Sequence, residues 1–158
     1  MALVTTALAS SLESSWLVPE GNDHPSSPSQ SGDKFAAAVS SWFAAATAGP
    51  FPCSTASARR SQLAASATGA IQANDPSLAG MQLAIGLMGY MAGQVFGAGV
   101  ASPPTAVSAA QSAITSVFSN LDLPNSARAN QIATGVYTLA ISTIVIFPPV
   151  ISPPTPVM

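Results

Sequence analysis

The chain has 158 residues, the size of one ordinary domain, yet Asp, Glu, Lys and Arg make up only 6% of it, against roughly 25% in a typical soluble domain. Its four basic residues, Lys34, Arg59, Arg60 and Arg128, are too few for the positive stripe that a phosphate backbone requires, so nucleic acid is not an expected partner. A single cysteine, Cys53, excludes an internal disulfide and any metal centre that draws several thiolates from one chain.

Residues 1–32 read as an N-terminal helix followed by a linker arm. The opening MALVTTALASSLESSW has no basic start and carries Glu13, which argues against a secretory signal. Its spacing predicts a short amphipathic helix with Leu3, Ala7, Leu8, Ser11 and Leu12 on one side. The LVPEGNDHPSSPSQSG stretch that follows has no periodic apolar face and reads as linker.

Residues 33–143 predict an all-α body, a bundle of four or five helices. Asp33 stands as N-cap of a helix carrying Phe35, Val39, Trp42, Phe43 and Ala46 on one face, ended by Gly49-Pro50. A second helix runs from near Ser54 to Ala73. Asn74-Asp75-Pro76 then supplies a cap with proline in the first turn.

No charged residue occurs from Pro76 to Leu121, and residues 78–101 are long enough to span a bilayer. Gly86, Gly89, Gly93 and Gly97 have the small-xxx-small spacing of packed membrane helices. Gln82, Gln94 and the lack of flanking basic residues favour instead a buried helix, with Met81, Met88 and Met91 filling gaps. Two further helices follow, one bearing Val107, Ala110, Ile114, Val117, Phe118 and Leu121, the other Ala129, Ile132, Ala133, Val136 and Tyr137.

Residues 144–158 are rich in β-branched residues and proline, and predict an extended arm that adds an edge strand to a neighbour or lies in its groove. Apolar side chains on proline-flanked arms have little core of their own, which marks Trp16, Leu17, Ile144, Ile146, Phe147 and Val150 as partner contacts.

Reactive chemistry is sparse. His24, the single histidine, lies in the linker, and Cys53 sits between Pro52 and Ser54 with no histidine near it in sequence to act as base. The carboxylates Glu13, Glu20, Asp23, Asp33, Asp75 and Asp122 are scattered, mostly at helix starts and turns, where capping explains them. No phosphate-loop motif occurs. The expectation is a non-enzymatic chain with no catalytic, cofactor-binding or metal-binding residues.

The succession FAAAVSSWFAAATAGPFP, a glycine-rich middle helix, SPPTAVSAAQSAITSVFSNL, then PNSARANQIATGVYTLAISTIVIFPP with a proline tail resembles small alanine-rich virion proteins of tailed bacteriophages, cyanophages included. The likeness covers most of the chain from Phe35 onward, and the long arm before it departs from the pattern. It implies a structural role in the tail or baseplate, among other virion proteins and copies of the chain itself. A head decoration or neck protein is the alternative within the virion. A holin-like membrane protein with spans at 78–101 and 133–151 is the alternative outside it.

Overall fold

A computed structural model describes residues 3–18, 23–148 and 153–158. Its helices are α1 (Thr5–Ser15), α2 (Pro28–Phe43), α3 (Arg60–Gln72), α4 (Pro76–Met91), α5 (Val107–Ser119) and α6 (Asn125–Ile141). Its strands are β1 (Thr47–Ala48), β2 (Phe51–Pro52), β3 (Val95–Phe96), β4 (Gly99–Ala101), β5 (Ile144–Ile146) and β6 (Thr155–Pro156). Helix accounts for 58% and strand for 10% of the described residues, so the molecule is mostly helical but is not the all-α body expected.

Proline sets where the long helices begin, because its fixed φ suits the first turn and its missing N–H has no helical acceptor to lose there. Pro28 and Pro76 open α2 and α4, each behind a side-chain cap: Ser27 accepts from the Gln30 N–H at 3.2 Å, Asp75 from the Leu78 N–H at 3.0 Å. Pro124 is the N-cap of α6. The Asp75–Pro76 start agrees with the sequence reading. Asp33 does not cap: α2 begins five residues earlier, at Pro28, inside the presumed linker.

Pro28, Pro76 and Pro124 stand 48 residues apart, and this spacing is the period of the fold. One unit, a helix followed by a short hairpin and a second helix, occurs as α2–β1β2–α3 and again as α4–β3β4–α5. The third unit is α6–β5β6, and α1 completes it. Each helix packs on its neighbours in sequence, and α1 packs on both α6 and α2, so the six form a closed ring. α1 is tied in by a 2.9 Å hydrogen bond from Trp42 Nε1 to the Val4 carbonyl and one of 2.8 Å from Asn125 Nδ2 to the Leu17 carbonyl.

The strands close in the same way. β1 pairs with β2, and β3-β4-β5-β6 form an antiparallel sheet. A bridge between Cys53 and Phe96 joins β2 to β3, supported by Ser54 N–H to Val95 C=O at 2.9 Å. Reciprocal 2.9 Å hydrogen bonds between Thr47 and Met158 join the chain end beyond β6 to β1. A ring of this kind leaves no free strand edge. Residues 144–148 and 153–158 are therefore not a free arm: β5 lies between β4 and β6 of its own chain, with Ala101 opposite Val145 and Ile144 opposite Pro156.

Gly49 and Gly97, also 48 residues apart, turn the first two hairpins at φ +60° and +61°, a conformation that costs other residues sterically. Below the strands, Phe43 meets Tyr90 at 5.8 Å and Phe96 at 6.3 Å, both edge-on, and all three rings are buried. Among the described residues no helix is long and apolar enough to cross a membrane. The chargeless 78–101 run is interrupted at Met91, after which Gly93 (φ +79°) leads into the second hairpin.

Candidate docking surfaces

The two ends of the helix ring differ in chemistry. The three strand pairs lie at one end: β1–β2 joins α2 to α3, β3–β4 joins α4 to α5, and β5–β6 follows α6. At the other end the starts of α2 and α6 meet the ends of α1, α3 and α5.

At the strand end, alternation decides which side chains face out. In β5, Val145 is buried while Ile144 and Ile146 are 43% and 57% exposed. Ile146 is paired with Val100 of β4, itself 49% exposed, and Ile144 with Pro156. Two residues beyond Pro156, Met158 is 48% exposed while Val157 between them is buried. Cross-strand partners share a face of a sheet, so Val100, Ile146, Ile144, Pro156 and Met158 form one apolar row facing solvent. Phe147 turns inward, its ring 5.1 Å from Phe51 and against Gly99, where a Cβ would lie 2.5 Å from it.

At the helix end, a cleft of about 440 Å³ is lined by Trp16, Leu17, Ile71, Phe118, Leu121 and Arg128, among others. Trp16 is buried, edge-on to Phe35 at 5.0 Å, and its Nε1 donates to Ser31 Oγ at 2.8 Å. The Arg128 guanidinium donates to the carbonyls of Leu123 (2.9 Å), Leu121 (2.5 Å) and Asn120 (3.5 Å), carbonyls at and just beyond the end of α5 that have no helical donor. Arg59 does the same for α4, donating to the carbonyls of Gly89 (3.1 Å) and Ala92. Half of the basic residues, Arg59 and Arg128, are thus occupied inside the molecule.

Of the six contacts inferred from sequence, Ile144 and Ile146 stand exposed on the strand row and Leu17 is half-buried at the cleft. Trp16 and Phe147 are corrected: both belong to the core, because the segments carrying them fold back into the ring instead of leaving it. Val150 lies outside the described residues. Val100, Met158 and Leu121 were missed. Val100 was hidden in a single helix reading of residues 78–101, because a strand of three residues is too short to show its alternation.

Cys53 is buried. Its thiol donates to Gln94 Oε1 at 3.5 Å, and burial pushes its pKa above the ordinary 9.0. Burial likewise raises the Tyr90 phenol, which donates to the Ala56 carbonyl at 3.0 Å. A thiol held protonated is a poor nucleophile. His24 is exposed in the segment before α2. Among the described residues no group of three or more His, Cys, Asp or Glu is placed to hold a metal. Comparison with protein-family models, with curated proteins and with solved structures found no match.

Proposed function

We propose that this chain is a structural subunit of a tailed-phage virion, placed in the tail or baseplate, where it bridges neighbouring virion proteins and copies of itself. The observation that carries this reading is the apolar row Val100, Ile146, Ile144, Pro156 and Met158 on a strand ring whose backbone is already paired. Exposed apolar residues in a continuous row mark a contact surface. With no free edge, the ring offers side chains to a neighbour and not a ladder. The scarcity of charge fits surfaces that neighbouring subunits cover, and repetition in an assembly makes modest contacts sufficient.

Mass spectrometry of purified particles, separated into heads and tails, tests the proposal. The chain is expected in the tail fraction. Recovery with heads would overturn the tail placement in favour of a decoration or neck role, and absence from particles would overturn the virion reading altogether.

A further inference from the structure

The side-chain charges are divided between the two ends of the ring. Among the described residues all the carboxylates belong to the helix end: Glu13 in the last turn of α1, Asp23 ahead of α2 and Asp33 in its second turn, Asp75 capping α4, and Asp122 between α5 and α6. Each stands within four residues in sequence of one that lines the cleft there: Trp16, Pro25, Ser31, Ile71 or Leu121. The bases at that end are Lys34 and Arg128, and the Arg128 guanidinium is held by carbonyls at the end of α5. The strand end has the opposite sign. Arg59 and Arg60 open α3 there, no described side-chain carboxylate accompanies them, and Arg60 is exposed. The apolar surfaces differ as well. The row from Val100 to Met158 faces out from the strand ring, whereas Leu17, Ile71, Phe118 and Leu121 line a hollow of about 440 Å³, Leu121 being 79% exposed.

We propose that copies of this chain stack head to tail, the strand-end row of one seated in the helix-end cleft of the next. The sign of the charges decides the arrangement. Two helix ends face to face would set carboxylates against carboxylates, and two strand ends would set Arg60 against Arg60; only opposite ends bring unlike charges together. Exposed pairs of this kind add little affinity, so they select the orientation while burial of the row in the cleft supplies the attraction. A contact between two different surfaces does not close on itself as a two-fold contact does. With row and cleft at opposite ends of the ring, each added copy leaves one of each free, and the stack grows as an open filament. This inference deepens the proposed function by naming an occupant for the row. It rests on the row being a contact surface and not on the virion.

Sedimentation equilibrium of the full chain over a wide concentration range tests it. The weight-average mass is expected to grow past twice 15.8 kDa as concentration rises, and less so in high salt, which screens the end charges. Two variants separate the surfaces. Ile146→Asp spoils the row and keeps the cleft, and Leu121→Asp does the reverse. Each alone is expected to be monomeric with the circular dichroism spectrum of the parent. Their equimolar mixture is expected to form a one-to-one dimer that grows no further, because one competent row and one competent cleft remain between them. Ile144→Asp replaces the first variant should it misfold. A parent chain that stays monomeric or stops at a dimer, self-association of either variant alone, or a mixture that stays monomeric would each overturn the stacking. The virion reading is judged separately, by the presence of the chain in particles.

Discussion

The first two units and the third are built on one plan and differ at the point where their helices cross. In the first unit Gly32 of α2 lies so close to Thr68 of α3 that a Cβ there would collide with it; in the second, Gly80 of α4 stands in the same relation to Thr115 of α5. The position 48 residues beyond Gly80 is Arg128. An arginine cannot make the glycine crossing, and its side chain caps α5 instead, at the end where the cleft opens. The difference teaches where the ring is joined. The first two units are continuous in chain and lock by close approach, whereas the third pairs α6 with α1 from the far end of the sequence, tied by the Asn125 hydrogen bond to the Leu17 carbonyl, while Trp16 packs on Phe35 of the first unit.

The largest expected effect comes from the element that the units share. Phe96 is fully buried where the strand ring meets the helices, and Phe96→Ala is expected to cost about 3–5 kcal/mol, as large-to-small changes in a packed core do. Urea denaturation reads the loss; a cost no larger than that of a surface change would mean that the strand ring does not pack on the helices.

The glycine crossings come next. Gly80→Ala places a Cβ against Thr115, with the Thr115 Cα only 2.9 Å away, and is expected to destabilise by about 1–3 kcal/mol through overpacking. A neutral result would show that the second unit is as loosely joined as the third.

Alkaline pH sharpens the contrast, because the buried ionisable groups Cys53 and Tyr90 both belong to the first two units. Burial raises both pKa values above the ordinary 9.0 and 10.0, so the folded chain holds these protons more tightly than the unfolded one. Their contribution to stability is complete below pH 9.0 and is lost as pH rises through the folded-state values. Denaturation midpoints should hold steady near neutrality and fall above pH 10.0, less so in a Cys53→Ala chain.

The smallest effect has the opposite sign. Gly135 of α6 has ordinary contacts at its Cβ position, 3.5 Å from the Ala110 carbonyl oxygen and 3.6 Å from the Ala113 side chain. Gly135→Ala is expected to stabilise by about 0.5–1 kcal/mol, the gain of alanine over glycine within a helix. Thermal melts of Gly80→Ala and Gly135→Ala side by side should shift in opposite directions.

Much of the helical framework was legible in the amino-acid order. The Asp75–Pro76 start follows from its cap and first-turn proline, and the core faces of α5 with Ala110, Ile114 and Val117 and of α6 with Ile132, Ala133 and Val136 follow from apolar spacing. The hairpins were not legible, since strands of two or three residues are too short to show a period of two. The closure of the ring was hidden for another reason. Only β6 pairing with β5, and the chain end with Thr47, shows that the proline-rich tail folds back, and those partners are far apart in sequence. The repeat was visible in principle in the three prolines and in Gly49 and Gly97, but alanine- and serine-rich segments look alike everywhere and obscure a period of 48. Of the candidate contacts, Ile144 and Ile146 were marked for standing on a proline-flanked apolar segment, and alternation along β5 is what leaves them exposed. The burial of Trp16 and Phe147 could not be read, because it depends on where the chain ends return.

The assembly role is tested most directly by an Ile144→Asp/Ile146→Asp chain, followed for helicity by circular dichroism and for its presence in purified particles. Both side chains face solvent, so the fold should be retained while incorporation is lost. Incorporation at the wild-type level by a folded double variant would contradict the account, because the apolar row on the strand ring would then have no part in assembly.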